Sequence, residues 1–314
     1  MAYCLKCSNS TTLPTFPEEL LLEVTNQLQL VDLLSICETD RHIRKIHLKT
    51  LQSITFDDLE QIVDCCKMFL LCPEVVKSVK ELQIVGGPYT RLKQWQQTLA
   101  DGIRKLANLQ SLNIVDSQEL FSFISNDAYF PHLTTCALPC GPGVDSFLKR
   151  HSTTISHLRV LPALDGPGWE CCEDYDTDWH MPEGCHAQRL HMPNLKIFAG
   201  PLVVAYSVIP YSKVHTATIY WGESRTISFR DALAAFAQST VPIVELRNIM
   251  WSMNTDLLVA VAEEIPQLKR LLFRKLSSAA NDDDFLENMY RVRELPSLEF
   301  VGFDTKRLAA WSEL

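Results

Sequence analysis

The sequence is short of glycine, of positive charge and of long apolar runs. Only 11 of its 314 residues are glycine, and it contains neither a G-x-G-x-x-G nor a G-x-x-x-x-G-K phosphate-binding loop. Lys and Arg number 29 against 38 Asp and Glu, a formal net charge of −9. Nucleic acids and anionic membrane surfaces both require a basic footprint. The longest apolar run, residues 201–211, is shorter than the roughly 20 residues of a membrane-spanning helix. We therefore expect no nucleic-acid partner and no membrane partner.

Export signals and disulfide patterns are also missing. Residues 1–10 are polar and contain no apolar signal-peptide core. The 11 cysteines are scattered and odd in number, which is typical of reduced thiols rather than of a disulfide framework. Cys4 and Cys7 form a C-x-x-C pair, but no second pair follows at a spacing that would complete a zinc site. We expect a cytoplasmic or nuclear protein without a cofactor.

No catalytic motif stands out. The G-x-S-x-G nucleophile elbow does not occur, and the nine histidines are dispersed along the chain. Combinations of Cys, His and Asp can be drawn from any chain of this length, so we assign no catalytic residue. We expect a protein that is not an enzyme. An enzyme of the α/β class is an alternative that would need a deep polar pocket.

Residues 13–56, which follow a Ser/Thr-rich tail at residues 1–12, predict three short helices. Pro17 suits the first turn of the first helix, and Asp32 stands at the N-cap of the second. So small a block has more leucine than it can bury internally, which predicts an exposed apolar patch of the kind found at protein interfaces. Packing of these leucines against the following repeats is the alternative. The apolar stripe of the first helix consists of Leu20, Leu21, Val24 and Leu28.

A Leu-x-x-Leu-x-Ile pattern recurs along residues 79–314. Successive copies lie 19 to 30 residues apart, except for one gap of 40 residues. This spacing is close to the 20–29-residue period of leucine-rich repeats. Helix-like stretches separate the copies, so each repeat is predicted to contain a strand, a turn and a helix. The fourth positions of the copies, which we name anchors, are Leu82, Leu112, Cys136, Leu158, Phe198, Ala217, Leu246, Leu271 and Val301.

The predicted fold is therefore α/β. It begins with the three-helix module and continues through a helical connector at residues 57–78. An irregular leucine-rich-repeat solenoid, a horseshoe, then occupies residues 79–314. An ordinary α/β sheet protein is the alternative. The shortness of the strands and the recurrence of one side-chain pattern favour the solenoid.

The 40-residue gap contains an acidic insertion at about residues 165–189. Asp174, Asp176 and Asp178 imitate the start of a calcium loop, but Trp179 stands where that loop needs glycine. Two cysteines and two histidines of the insertion could bind zinc. The favoured interpretation is an acidic surface loop without metal, with contact to a basic substrate as one role for it. The zinc candidates are Cys171, His180, Cys185 and His186.

Several large side chains lie just beyond repeat strands. Aromatic residues and methionine are enriched at protein-binding surfaces, so these side chains are candidates for a substrate contact. Packing in the core or against loops is the favoured interpretation. The residues are Trp221, Met250, Trp251 and Met253.

The N-terminal block resembles an F-box. The resemblance is carried by Phe16-Pro17-Glu18-Glu19-Leu20-Leu21, by Asp32-Leu33-Leu34 and by the basic pair Arg41 and Arg44, and it covers about 40 residues. The chain departs from the family pattern at Glu38 and Thr39, where apolar residues are more common. Together with the repeats, which commonly follow an F-box, the whole pattern resembles the fungal F-box/leucine-rich-repeat proteins.

The resemblance implies a function. An F-box docks on the Skp adaptor of a cullin–RING ubiquitin ligase of the SCF type, and the repeats hold an unknown protein substrate for ubiquitin-dependent degradation. The alternative is a stand-alone leucine-rich-repeat scaffold with a degenerate F-box. By the resemblance, the adaptor-facing residues are Phe16, Pro17, Glu19, Leu20, Leu21, Leu28, Leu33, Leu34 and Ile36.

Overall fold

The structure, a computed structural model, contains one parallel sheet of ten strands. It describes residues 20, 23–24, 32, 52–56, 62–63, 65–66, 69–70, 73–85, 96–115, 118–161, 189–222, 227–250, 254–275 and 295–304. The strands are β1 (Ser53–Phe56), β2 (Glu81–Val85), β3 (Ser111–Val115), β4 (Thr135–Pro139), β5 (His157–Leu161), β6 (Ile197–Pro201), β7 (Thr216–Trp221), β8 (Glu245–Met250), β9 (Arg270–Lys275) and β10 (Phe300–Asp304).

The strands lie side by side in the order in which the chain visits them, and every neighbouring pair is parallel. A doubly wound sheet would reverse its strand order at a switch point. Here each crossover leads to the next position in the same direction, so the sheet grows along one axis. This is the α/β arrangement that the repeat spacing predicts.

The nine predicted anchors form one row across the sheet. Each anchor is the second residue of its strand, and the register pairs it with the anchor of the next strand, from Leu82 on β2 to Val301 on β10. Ile54 on β1 extends the row by one strand. The prediction of strands at these nine positions is confirmed.

A backbone hydrogen-bond motif recurs once in each repeat. The N–H groups of Gln110 and Ser111 both donate to the carbonyl of Lys80, at 2.7 and 2.9 Å. The same double donation occurs at every step of the sheet, including the step from β5 to β6, where Lys196 and Ile197 donate to the carbonyl of Ser156 at 2.8 and 3.2 Å. The register is therefore continuous across the 40-residue gap.

Seven helices connect the strands in the part of the chain that is described. The sequence predicts helices between the anchors at residues 91–106, 117–124, 144–150, 229–238, 256–265 and 282–293. The first five overlap described helices, and residues 282–293 lie outside the described residues. None of the described helices is long and apolar enough to cross a membrane. The helices are α1 (Pro73–Ser78), α2 (Gln96–Arg104), α3 (Gln118–Ser125), α4 (Val144–Arg150), α5 (Leu202–Val208), α6 (Phe229–Phe236) and α7 (Thr255–Glu264).

Helix α5 was not predicted, because its residues form part of an apolar run without helical periodicity. Five of its seven residues are buried, so it has no polar face to produce the 3.6-residue period by which a surface helix is recognised. By contrast, α6 and α7 have side-chain caps: the backbone N–H of Asp231 donates to Ser228 Oγ, and that of Asp256 to Asn254 Oδ1. Such caps mark helix starts in a sequence.

The sheet begins one strand earlier than predicted. The prediction places residues 53–56 at the end of the helical block and begins the repeats at residue 79. In the structure these residues form β1, which pairs with β2 along its whole length. Ile54 and Phe56 face the core. The signal was present in the sequence, because Leu51, Ile54 and Phe56 match the repeat pattern and Ile54 precedes the anchor Leu82 by 28 residues. The described residues of the predicted connector, residues 57–78, are all helical.

Alternate residues of each strand point into a core that the helices cover. The strand residues that face the core are apolar except at two positions. At Gly200 on β6 the ring of Phe198 fills the space of a side chain, since a Cβ built on this glycine would lie 3.0 Å from Phe198 Cζ. Asn248 on β8 is buried but has two hydrogen bonds: it accepts from Trp221 Nε1 at 2.8 Å and donates to the carbonyl of Leu272 at 3.2 Å. These bonds offset the cost of burying the amide.

A buried histidine, His151, lies behind α4. Its Nε2 accepts a hydrogen bond from the backbone N–H of Phe130 at 2.9 Å, and its Nδ1 lies 2.9 Å from the carbonyl of Phe147. These partners require the neutral tautomer with the proton on Nδ1. Burial lowers the pKa of His151 from its ordinary value of 6.5, and the charge of Arg150 lowers it further, against the hydrogen bond to Phe147.

Protonation of His151 is expected to destabilise the fold in acid. The unfolded chain takes up this proton near pH 6.5 and the folded chain only at lower pH, so the stabilisation is complete above 6.5 and declines as the pH falls through the folded pKa. Urea unfolding at pH 7.5 and pH 5.5 should show lower stability at pH 5.5. In His151→Gln, which has no titratable group, the difference should shrink. An equal pH difference in both proteins would contradict this role.

Candidate binding face

The sheet face opposite the helices, which we name the open face, consists of the strand residues that alternate with the core positions. Its central row contains small or polar residues from β1 to β4. From β5 to β10 it contains two arginines, three small residues and one leucine. The row reads Thr55, Gln83, Asn113, Ala137, Arg159, Ala199, Thr218, Arg247, Leu272 and Gly302.

A hollow of about 430 Å³ lies on this face and is lined by residues of β3 to β9. It exists because Ala137, Ala199 and Thr218 are small and lie between longer side chains of the same row. Ile197, Ile249 and Leu272 give it apolar walls, and arginines and Tyr220 add polar groups. Predominantly apolar pockets with a few convergent polar groups are typical of binding sites.

Two arginines from opposite sides approach Tyr220 on β7. Arg159 on β5 hydrogen-bonds with the Tyr220 side chain, and the positive charge of Arg274 on β9 also acts on the hydroxyl. Burial nevertheless raises the pKa of Tyr220 above its ordinary value of 10.0, against the effect of both arginines. The hydroxyl therefore keeps its proton at neutral pH.

A carboxylate balances two other arginines of the open face. The Glu245 side chain on β8 lies 2.7 Å from Arg247 Nε and 3.5 Å from Arg270 Nε. The guanidinium of Arg270 also lies 5.3 Å from the ring centre of Phe300. The open face thus has two arginines paired with Glu245 and two more near Tyr220.

Two further polar groups border the hollow. Burial lowers the pKa of His157, and the neighbouring charge of Lys196 lowers it further, so this imidazole is neutral at pH 7. The Oδ1 atom of Asn113 is buried and has no hydrogen-bond partner among the described residues. A buried acceptor without a partner is costly, and a ligand N–H could satisfy it.

A second hollow, of about 370 Å³, lies where β7 meets the start of α6 and the side of α7. Trp221 and Phe229 form its apolar part, with ring centres 4.9 Å apart. Its one described arginine, Arg230, forms ion pairs with Glu263 and Glu264. This hollow therefore lacks the cluster of cations found on the open face.

One of the predicted adaptor-facing residues, Leu20, is described. It is helical and 48% exposed, and Val24, four residues further, is helical and 59% exposed. Glu23 and Asp32 are also helical and exposed. The other predicted adaptor-facing residues lie outside the described residues: Phe16, Pro17, Glu19, Leu21, Leu28, Leu33, Leu34 and Ile36.

The zinc candidates Cys171, His180, Cys185 and His186 also lie outside the described residues. Within the described ranges, no group of three or more His, Cys, Asp or Glu side chains is placed to hold a metal ion. The four described cysteines are buried free thiols. Burial raises the pKa of Cys66 to about 12, so this thiol remains protonated and is a poor nucleophile.

Trp221 and Met250 are buried, with 5% and 2% of their surface exposed, so the interpretation of these two as packing residues is confirmed. Trp251 and Met253 are outside the described residues.

No family model matches this chain. No curated protein matches it either.

The arginines and Tyr220 of the open face were not predicted as site residues. The signal was present once the anchors were aligned: Arg159 and Arg247 each follow an anchor by one residue, and Tyr220 and Arg274 by three. Period-2 alternation places all four on the face away from the core. Their convergence could not be deduced, because it depends on side-chain direction across several strands.

Proposed function

We propose that the chain is a non-enzymatic substrate-recognition subunit of an SCF-type cullin–RING ubiquitin ligase. Its N-terminal helices dock on the Skp adaptor, and the open face of its repeats binds a protein substrate. The proposal combines the F-box-like residues of the N-terminal block with the repeat array that follows it.

The exposure of Leu20 and Val24 is the observation that carries this proposal. Residues four apart lie on the same side of a helix, so the two side chains form one apolar patch. Both are largely exposed, which argues against the alternative in which this stripe packs on the repeats. An exposed pair of apolar helical residues supports a docking role.

The repeat array supports the second half of the proposal. A helix is about 10 Å wide, whereas neighbouring strands are about 4.8 Å apart. Repeats that place strands on one side and helices on the other therefore favour curvature with the strands inside, which would make the array a horseshoe and the open face its concave surface. Concave repeat surfaces are common binding sites.

A stand-alone repeat scaffold with a degenerate F-box is the second candidate. It is favoured by the polar residues Glu38 and Thr39 at positions where the family pattern is commonly apolar. Adaptor binding distinguishes the two candidates, because a scaffold would not need it.

The test is co-expression of the full chain with a Skp adaptor, followed by purification and measurement of stoichiometry. We expect a one-to-one complex for the wild type, and at least a tenfold loss of adaptor in the variant Pro17→Ala, Leu20→Ala, Leu33→Ala, because burying exposed apolar side chains drives most of such an interface.

The matched control is Glu23→Ala, which changes an exposed residue of the same helical segment and should keep the adaptor. A folded wild-type chain that binds no adaptor would contradict the proposal and leave the scaffold. So would equal adaptor binding by the wild type and the triple variant.

A further inference from the structure

The second hollow, where β7 meets the start of α6 and the side of α7, is acidic. Four carboxylates and one guanidinium lie in it or directly beside it. The one arginine is shared between two of the carboxylates, so its charge balances only part of the negative charge. A cleft lined by charge of one sign attracts ligands of the other sign. The charged residues are Arg230, Asp231, Asp256, Glu263 and Glu264.

The apolar part of this hollow is aromatic. Trp221 and Phe229 line it, and Ile227 and Val259 extend its apolar surface. Trp221 Nε1 donates a hydrogen bond to Asn248 Oδ1 at 2.8 Å, which fixes the orientation of the indole ring. The face of an aromatic ring attracts a cation, and the methylene groups of a long basic side chain pack on apolar surface while its charged end stays in water.

Asp256 is the carboxylate of the hollow that is available to a ligand. It lies in the first turn of α7, where its backbone N–H donates to Asn254 Oδ1 at 2.7 Å. Its carboxylate forms no ion pair with the residues that the structure describes. A carboxylate beside aromatic rings provides both parts of a site for a basic side chain, since the rings contact the stem and the carboxylate binds the charged end.

The start of α6 also lies at the hollow, and a helix N-terminus carries a partial positive charge that favours an anion. In this helix the charge is already compensated. Ser228 Oγ accepts a hydrogen bond from the backbone N–H of Asp231 at 3.1 Å and donates one to the Asp231 carboxylate at 2.6 Å. The cap and the carboxylate therefore occupy the position that an anion would take.

We propose that this hollow binds a basic side chain, arginine or lysine, on a segment of a partner protein. The stem packs on Trp221 and Phe229, and the charged end binds Asp256. Asp256 and Glu263 lie two turns apart on α7, about 10 Å along the helix, so a peptide can contact both, whereas a small amine reaches one. No residue that lines this hollow also lines the hollow of the open face, so the surface is additional to the proposed function and does not depend on it.

The test uses the full chain and degenerate peptide libraries of uncharged residues around one fixed central position, with binding measured by fluorescence anisotropy. The fixed residue is arginine or lysine. Matched libraries have citrulline or acetyl-lysine there, which are neutral counterparts of similar shape. At least one basic library should bind about tenfold more tightly than its neutral counterpart, because only the charged form makes both the cation–π contact and the charge-assisted hydrogen bond.

Asp256→Asn should weaken binding of that library by about fivefold or more, because it removes the carboxylate and keeps the backbone cap of α7. The matched control is Glu119→Gln, which removes an exposed carboxylate from the first turn of α3 and should change the affinity by less than about twofold. Arg230→Gln should tighten binding, since Glu263 and Glu264 then lose their guanidinium partner. Thermal unfolding establishes that each variant is folded, and Arg230→Gln tests the site if Asp256→Asn unfolds, because unfolding cannot raise an affinity.

Four outcomes would overturn the proposal. Equal binding of basic and neutral libraries would exclude a site for the positive charge. Tighter binding of a library with central glutamate would assign an anion to the start of α6. Equal losses in Asp256→Asn and Glu119→Gln would show general attraction to an acidic chain. Tighter binding of free butylguanidine than of any library would assign a small amine. Adaptor co-purification with the same variants separates this proposal from the proposed function, because all of them should keep the adaptor.

Discussion

Phe147→Ala is expected to lower the free energy of unfolding by about 3–5 kcal/mol, the range for truncating a fully buried phenylalanine. Phe147 lies on α4 and has none of its surface exposed. Its ring centre is 5.5 Å from that of Phe121, 6.4 Å from that of Phe130 and 4.3 Å from that of His151. Alanine would leave a cavity among three rings that belong to two adjacent repeats and the turn between them.

Tyr129→Ala is the matched control for this prediction, because Tyr129 stacks on the same histidine with ring centres 5.5 Å apart but is 57% exposed. Tyr129→Ala should lower the free energy of unfolding by less than about 1 kcal/mol. Urea unfolding monitored by circular dichroism measures both. Similar losses for the two variants would show that Phe147 is not a core residue of this array.

Gly200→Val should lower the free energy of unfolding by about 1–3 kcal/mol through overpacking. A Cβ at this position would lie 3.0 Å from Phe198 Cζ and 3.2 Å from both Val160 Cβ and the Val160 carbonyl oxygen. The methyl groups of valine require still more room. To relieve this steric overlap, the ring of Phe198 would have to move, but Phe198 is fully buried and belongs to the anchor row.

Ala199→Val provides the control from the same strand. Ala199 directly precedes Gly200 and lines the hollow of the open face, where the two added methyl groups meet space rather than core. Its effect should lie within about 0.5 kcal/mol. Because a shift of one residue in register exchanges the two faces of a strand, a larger loss for Ala199→Val than for Gly200→Val would contradict the register.

Much of the sheet could be predicted from the sequence. Apolar residues at fixed offsets predict the second residue of nine strands. The second and fourth residues of each strand face the core, and the repeat brings them back at a regular spacing. Strand β1 was missed although Leu51, Ile54 and Phe56 fit the same pattern, because these residues were assigned to the end of the N-terminal helical block. Helix α5 was missed because a helix buried on most sides has no polar stripe.

The candidate site was harder to predict than the fold. The arginines of the open face lie at solvent-side positions, where any polar residue is compatible with folding, so composition gives no reason to select them. Their significance depends on the small residues Ala199 and Thr218, which leave room for the long side chains to converge. Arg159, Tyr220 and Arg274 are separated by about 60 and 54 residues in the chain, and the register brings them together.

Hydrogen exchange of the full chain with and without the Skp adaptor locates the segment that the adaptor binds. We expect slower amide exchange on adaptor binding within residues 13–52, which include the exposed Leu20 and Val24. Exchange in β3 to β9, which line the open face, should be unchanged. The absence of protection in residues 13–52 would contradict the proposed function. Protection confined to the open-face strands would show that the adaptor occupies the surface here assigned to the substrate.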